Sequence, residues 1–344
     1  MTLDEIENVV EKLGLPHFRA KQIYKWLQCE GVMDYDEMTN IPKDLRNSLR
    51  ETYPINYCKV ELKQESKIDS TVKYLFRLSD GNYIESVLMK YKYGYTLCVS
   101  SQVGCKMGCM FCASTKAGCV RSLYPSEIIG QVHAAQRDMK IRISHIVLMG
   151  MGEPLDNFDN VMRFLELVGD DNGLNISIRN ITLSTCGLVP EIYKLMDRHL
   201  QLTLSISLHA PNNELRSRIM PVNKRYNIDE LLEACRKYVE KTSRRISFEY
   251  AMLKDMNDSD ECAYQLAKLL KGMLCHVNLI PANEITESSH KRSTNTRLER
   301  FSSILSENGI NVTVRRSLGS DIDASCGQLR SKYNNRNSQK EDCV

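Results

Sequence analysis

Three features of the 344-residue chain predict an α/β fold. Short β-branched runs alternate with helical stretches between residues 95 and 280, a hairpin signal precedes them, and the first fifty or so residues are helical in pattern. Such alternation implies right-handed βαβ units and therefore a parallel sheet, either open or curled into a barrel. In sheets of this kind ligands bind beyond the carboxyl ends of the strands, so the residues that follow each run are the ones to inspect for chemistry.

Taken in chain order, Thr2 is placed to cap LDEIENVVEKLG, and HFRAKQIYKWLQ (17–28) carries apolar residues at helical spacing around Trp26. This reads as a small helical domain over 1–55. The stretch VKYLFRLSDGNYIESVLM (72–89) holds two β-rich runs split by Asp80-Gly81, a hairpin turn pair, so 56–94 is expected to be a hairpin extension leading into the main domain at 95–330. Strands are predicted at YTLCVSS (95–101), SHIVLM (144–149), NITLST (180–185), LTLSIS (202–207), ISFEYAML (246–253) and CHVNLI (275–280). Helices are predicted at 125–139, 227–241 and 258–272. The tail over 331–344 is polar and Asn-rich, which argues against a role for Cys343.

Composition narrows the class. With 42% hydrophobic residues the chain can bury one large domain plus something small. A net charge of +3 means that a nucleic-acid partner would be held by local basic patches. No window approaches the roughly 20 apolar residues of a membrane span, and the start is acidic and amphipathic where a signal peptide would be basic and then apolar, so the expectation is a cytoplasmic protein. Thirteen cysteines without a secretory signal read as reduced thiols. Cys29, Cys58, Cys235, Cys262 and Cys275 stand singly and are expected to be small buried hydrophobes.

The exception is CKMGCMFC (105–112), where Cys105, Cys109 and Cys112 form a C-x3-C-x2-C arrangement just after the first of the alternating strands. Thiolates so spaced suit zinc or an iron–sulfur cluster. Zinc would want a fourth ligand, and Cys98 and Cys119 each lie seven residues outside the triplet. A cluster held by three cysteines leaves one iron without a protein ligand, and such an open position can bind a small molecule. Other strand ends offer further groups. In GMGEP (150–154) small residues including Gly152 let backbone approach a ligand, and Glu153 could accept from an ammonium; alone, such a turn is usually only a turn. Ser184, and Ser207, Leu208 and His209 in SLHAPN, bring hydroxyl, backbone and imidazole groups to the predicted mouth, against a competing reading as ordinary strand-end polarity.

The cysteine triplet, with Phe111 before its last member, resembles the radical S-adenosylmethionine (SAM) superfamily, in which a three-cysteine [4Fe–4S] cluster holds SAM and the fold is a partial (β/α)6 barrel. Taken with CVSSQVGC (98–105), GMGEPLDN, TLSTCG, SLHAPN and DIDASCGQL (321–329), the chain from about residue 1 to 330 is similar to the RlmN methyltransferases. Ser325, and Ala282 before Asn283, depart mildly from that pattern. The resemblance implies a radical SAM methyltransferase that modifies carbon 2 of adenine in 23S rRNA, at the peptidyl transferase centre, and in tRNA. It implies cluster ligands at Cys105, Cys109 and Cys112, and SAM contacts at Gly152, Glu153, Ser184, Ser207, Leu208, His209 and Asn283. Catalytic roles fall by the same resemblance on Cys326 as methyl carrier, Cys98 as the thiol that releases product through a transient disulfide, and Glu85 as proton acceptor. Without the resemblance, Glu85 reads as a solvated hairpin residue and Cys326 as a buried thiol. An electron donor such as flavodoxin and a monomeric state are also implied.

Two other readings stand beside this one: a Cfr-like enzyme acting at carbon 8, and a non-catalytic RNA-binding protein with a metal site. Candidate RNA contacts are KRSTNTRLER (291–300), Arg315 and Arg316, and Lys106, Lys116 and Arg121, all of which read equally as solvated surface.

Overall fold

A computed structural model describes residues 1–116, 118–281, 291–322 and 327–333. The first helix, α1 (Leu3–Lys12), begins at a reciprocal capping box in which the Thr2 hydroxyl accepts from the Glu5 amide and the Glu5 carboxylate accepts from the Thr2 amide. α2 (Phe18–Tyr24) runs into a π-helical turn at Lys25–Cys29, and α3 (Lys43–Thr52) follows. These elements bury Ile6, Val10, Ala20, Ile23, Tyr24 and Met38 in a core of their own. Polar contacts join them to the rest of the chain: the Tyr24 hydroxyl donates to Asp170 at 2.8 Å and Arg137 donates to Glu37 at 2.6 Å.

Next come β1 (Lys59–Glu65), β2 (Val72–Arg77), β3 (Tyr83–Tyr91) and β4 (Gly94–Cys98), antiparallel in sequence, with the Asp80-Gly81 turn between β2 and β3. The small hairpin β5 (Gln102–Gly104) and β6 (Cys119–Ser122) stands apart as a second sheet. The chain then alternates: α4 (Pro125–Met139), β7 (Ile143–Leu148), α5 (Phe158–Gly169), β8 (Ile181–Thr185), α6 (Val189–Met196), β9 (Thr203–Ser207), α7 (Asn213–Ile219), α8 (Ile228–Thr242), β10 (Ile246–Met252), α9 (Asp260–Leu270), β11 (Cys275–Pro281), α10 (Asn295–Glu307) and β12 (Val312–Val314). The strand order of the main sheet is β1-β2-β3-β4-β7-β8-β9-β10-β11-β12, and every pair from β4 onward is parallel. This is the α/β architecture expected: six parallel strands, β4 and β7–β11, form the partial (β/α)6 barrel, the short β12 adds a seventh at one edge, and the antiparallel β1–β3 continue the other.

Differences from the sequence reading are local. β4 ends at Cys98 and not at residue 101, because Val99, Ser100 and Ser101 turn to bond with β7 and the stretch after it. β1 and β12 had no clear apolar run, since both lie at sheet edges and carry polar residues. Cys58, Cys235, Cys262 and Cys275 are buried as expected, but Cys29 is only half-buried, its thiol directed at the Asn172 carbonyl. Among the described residues no helix is long and apolar enough to cross a membrane.

Strand periodicity separates the two faces of the parallel sheet. Leu97, Ile146, Leu183, Leu204, Phe248 and Val277 pack with the helices in the main core. Their neighbours Thr96, Cys98, Ser184, Ser205, Glu249 and Asn278 face the other way, into the concave side. A parallel sheet buried on both sides normally reads as a near-continuous apolar run. Here the inner face is largely polar, which leaves it available for a ligand.

Burial also makes stability sensitive to acid. His133 on α4 is buried, and desolvation, helped by Arg137, lowers its imidazole to about 4. Between its ordinary value of 6.5 and about 4, the unfolded chain binds a proton that the folded chain refuses, so stability falls as pH drops through that window. The expected loss from this one group is on the order of 3 kcal/mol. Urea unfolding of His133→Leu at pH 7 and at pH 4.5 should show a pH slope smaller by about one proton; an unchanged slope would refute the assignment.

Candidate active site

The cysteine triplet occupies the loop between β5 and β6. The Cys105 amide donates to the Gly118 carbonyl at 2.9 Å, the Cys112 amide to the Cys109 carbonyl at 3.1 Å, and the Thr115 hydroxyl to the Cys112 carbonyl at 2.9 Å. The Met110 amide reaches the Ile219 carbonyl of α7 at 2.9 Å, and Met107, Cys109 and Phe111 pack on Cys186, Ala210, Ile219, Met220 and Leu253. The loop is therefore pinned over the ends of β8 to β10. Burial pushes the Cys105 and Cys109 thiols up to about 12, with neighbouring cysteines of the triplet adding to the effect. They would need the positive charge of bound iron to be thiolates. Among the described residues no three His, Cys, Asp or Glu side chains gather closely enough to hold a single metal ion. Three soft thiols spread through one loop fit a cluster, where each binds a different iron, better than they fit a lone zinc.

The strand ends beneath the loop form one hydrogen-bonded network. Gly152 has φ of +103°, and a Cβ there would lie 2.6 Å from the Gln102 side chain and 2.8 Å from its amide nitrogen, so the glycine is needed for packing against β5. Glu153 is buried, and its oxygens accept from the Leu155 amide at 3.1 Å and the Cys186 amide at 2.7 Å. Desolvation pushes its carboxyl up from the ordinary value while those bonds pull it down. Ser184 and Ser207 are half-buried on the inner face, Leu208 is buried, and His209 holds φ of +56°. The His209 Nδ1 accepts from the Ala251 amide at 2.9 Å, which fixes that nitrogen as unprotonated, and burial with the nearby Arg216 lowers the imidazole to about 3. His209 is a neutral ring, set edge-on to Phe111 of the cysteine loop at 4.7 Å between centroids.

Arg216 was not singled out by sequence, where it reads as one more basic residue of a helix. It is fully buried and donates to the carbonyls of Cys186 at 2.7 Å, Ser207 at 3.2 Å and Leu208 at 3.2 Å, and to Asn223 at 3.1 Å. One guanidinium thus gathers the ends of β8 and β9. Burial lowers it to about 10, so it remains charged at neutral pH.

A second group of residues meets at the β2–β3 edge. Cys98 is buried on the inner face of β4, opposite Val87 of β3, and packs with Val87, Met89, Val147 and Met149. Glu85 lies two residues from Val87 on the same face, its own carbonyl accepting from the Ser100 hydroxyl at 2.6 Å. It is 1% exposed, which overturns the reading of a solvated hairpin residue. Its carboxylate meets the Lys73 ammonium at 2.6 Å and accepts from the amides of Gly327 and Arg330, each at 2.6 Å. Lys73 went unnoticed too, although a lysine inside VKYLF, across a two-stranded hairpin from a glutamate, is the available signal. Cys326 and Asn283 lie outside the described residues, as do Ser325, Ala282 and Cys343. Gly327, the residue after Cys326, has φ of +84°, and a Cβ on it would lie 2.7 Å from the Ser114 amide nitrogen. The C-terminal turn therefore touches both Glu85 and the segment that follows Cys112.

Of the basic residues considered for RNA, several are engaged within the protein. Arg121 pairs with Glu127 at 2.8 Å and Asp80 at 2.7 Å, Lys106 with Asp156 at 2.8 Å, and Arg297 and Arg300 with Asp260 at 2.5 and 3.2 Å. Arg121 in particular is a structural tie between the hairpin turn and α4 and not a free cation. Arg316 is exposed.

Comparison with known proteins agrees with this geometry. Residues 99–267 match the radical SAM superfamily, and residues 1–55 match the family described as the ribosomal RNA large subunit methyltransferase N-terminal domain. A protein of Thermoanaerobacter sp. (strain X514), named probable dual-specificity RNA methyltransferase RlmN, is 54% identical over 333 residues, covering 97% of each chain. One of the same name from Clostridium novyi (strain NT) is 53% identical over 332 residues, 96% of this chain and 97% of its own. The crystal structure of a radical SAM methyltransferase from Sphaerobacter thermophilus superposes with a TM-score of 0.92 at 45% identity, covering 95% of this chain and 97% of that one.

Proposed function

We propose, from the premise that this chain belongs to the RlmN family of dual-specificity RNA methyltransferases, that it methylates carbon 2 of an adenine in 23S rRNA, at the peptidyl transferase centre, and in tRNA. The observation that carries the reading is the meeting of three segments far apart in sequence. Glu85 and Cys98 share one face of the barrel edge, and the turn that follows Cys326 is bonded to Glu85 while it packs against Ala113 and Ser114, just past Cys112.

Carbon 2 of adenine is electron-poor and bears an aromatic C–H, so it is not readily made a nucleophile toward the methyl of SAM, and a radical route avoids that difficulty. When bound at Cys105, Cys109 and Cys112, a [4Fe–4S] cluster supplies the electron that cleaves SAM and so provides hydrogen-abstracting power. Gly152, Glu153, Ser184, Ser207, Leu208 and His209, at the strand ends, would hold SAM together with Asn283, with the neutral His209 ring offering a flat surface without adding charge. The Cys326 sulfur first accepts a methyl group by substitution. It then loses a hydrogen from that methyl, and the resulting carbon radical bonds to carbon 2. The carbon 2 proton leaves the adduct to Glu85, and the one electron that leaves with it would be taken back by a cluster held at Cys105, Cys109 and Cys112. The Cys98 thiolate attacks the Cys326 sulfur, breaking its bond to the new methyl carbon, which takes up a proton. The Cys98–Cys326 disulfide left behind is opened by an external reductant, such as a flavodoxin-class donor. The target base must leave its stack to reach a site at this depth.

The test begins with protein purified anaerobically with an intact cluster and SAM. The peptide carrying Cys326 should be heavier by one methyl group, and incubation with ribosomal RNA should yield 2-methyladenosine, separated chromatographically from the 8-methyl isomer. Cys326→Ala should reduce methylation to background. Retained adenine methylation in that variant would sink the reading, whereas 8-methyladenosine would transfer it to the Cfr-like chemistry.

A further inference from the structure

Lys73 is 0% exposed and Glu85 1%, and their side chains meet at 2.6 Å inside the barrel edge. A buried ion pair needs additional hydrogen bonds to offset the desolvation of both charges. Among the described residues those bonds to Glu85 come from one place: Oε2 accepts from the Gly327 amide and Oε1 from the Arg330 amide, each at 2.6 Å. Gly327 and Arg330 stand at the start of the helical stretch 328–333, whose first amides have no partner within the helix, and a carboxylate 242 residues from Gly327 in sequence serves them. Gly327 is in turn pressed against Ala113 and Ser114.

We propose that the Lys73–Glu85 pair is a latch that docks the C-terminal turn 327–330 against the cysteine loop, and that Lys73 is thereby a positioning residue for the reaction. Lys73 holds the carboxylate by charge, and the carboxylate holds the turn by two charge-assisted bonds to its backbone. Resting on the methyl-carrier reading given above, a consequence follows for the order of events. The oxygens that anchor the turn are those assigned to receive the carbon 2 proton, so proton uptake removes the charge that strengthens both anchoring bonds. The turn is docked while Cys326 is loaded with its methyl group and loosens as Glu85 takes the proton.

The experiment is residue-resolved hydrogen exchange on the cluster-loaded protein, comparing wild type with Lys73→Met and with the double variant Lys73→Met/Glu85→Gln. The amides of Gly327 and Arg330 should exchange on the order of tenfold faster or more in both variants, as loss of charge-assisted bonds requires, with amides in β9 and β10 unchanged. Unchanged protection at both amides overturns the latch. The double variant removes both charges of the pair together, so it tests the latch even if Lys73→Met fails to fold. Steady-state kinetics of RNA methylation by Lys73→Met should show kcat reduced about tenfold with KM for RNA unchanged, since the turn positions the methyl carrier and not the RNA; a loss confined to KM overturns the positioning role. Should wild-type protein fail to methylate RNA, the proposed function fails while the exchange measurement still decides the latch.

Discussion

Arg216→Met is expected to lower the unfolding free energy by about 3–5 kcal/mol and to disable the enzyme even under conditions where the protein stays folded. The guanidinium lies in the interior without contact to solvent, and burial has already lowered it to about 10. What offsets that desolvation is a set of three carbonyls and one side-chain amide, drawn from the end of β8, the end of β9 and the turn after α7. Methionine has comparable reach but no donors, so Cys186, Ser207 and Leu208 would each keep a buried carbonyl bond unmade, at about 1–3 kcal/mol apiece before relaxation. The effect on chemistry follows from position. The amide of Cys186 binds Glu153, and Ser207, Leu208 and His209 are consecutive, so loosening one arginine displaces most of the residues assigned to SAM. Urea unfolding at unchanged slope measures the first effect, and equilibrium SAM binding measures the second. A variant with wild-type midpoint and wild-type SAM affinity would show that the network is idle.

Gly327→Ala is expected to separate activity from stability. At φ of +84° an L-residue is strained by about 1–2 kcal/mol, and the added Cβ would fall 2.7 Å from the Ser114 nitrogen and 2.9 Å from the Ala113 carbonyl carbon. Both obstacles are backbone, so the turn has to move and not merely a side chain. A displacement of about 1 Å in a group that must meet a reacting carbon costs on the order of 10²-fold in rate. RNA methylation should fall by that order, while iron and sulfide content stays at the wild-type level because the cysteine loop keeps its own bonds to Gly118 and Ile219. The barrel should unfold within about 2 kcal/mol of wild type. Equal loss of iron and activity would instead mean that the turn is part of what keeps the cysteine loop in place.

The parallel strands and helices were legible because their signals are local: β-branched runs, capping residues and a turn dipeptide. The helices predicted at 227–241 and 258–272 are α8 and α9, which start just after the capping residues Asn227 and Ser259. The cysteine loop was legible for the same reason, with all three thiols inside eight residues. Glu85 was not legible from pattern, because its burial depends on a turn more than two hundred residues later, and no local rule reports a partner at that distance. Lys73 and Arg216 were hidden in the same way. Each is a charged residue in a setting where charge usually means solvent, and only the fold reveals the carboxylate or the carbonyls that receive it. The expectation for Glu153 also changed in kind: its carboxylate already serves two backbone amides, so any ligand ammonium would share it.

The alternation along β8 through β11 has a consequence for how such a protein can change over generations. Residues of one parity, such as Leu183, Leu204 and Phe248, answer to the helices and are judged by whether the chain folds. Those of the other parity, such as Ser184, Ser205 and Glu249, answer to whatever occupies the concavity. Two selective pressures thus act on interleaved letters of the same five- to seven-residue words, with little cross-talk between them. A lineage can rewrite the second set and acquire a new substrate while the first set, and with it the ability to fold, is passed on intact.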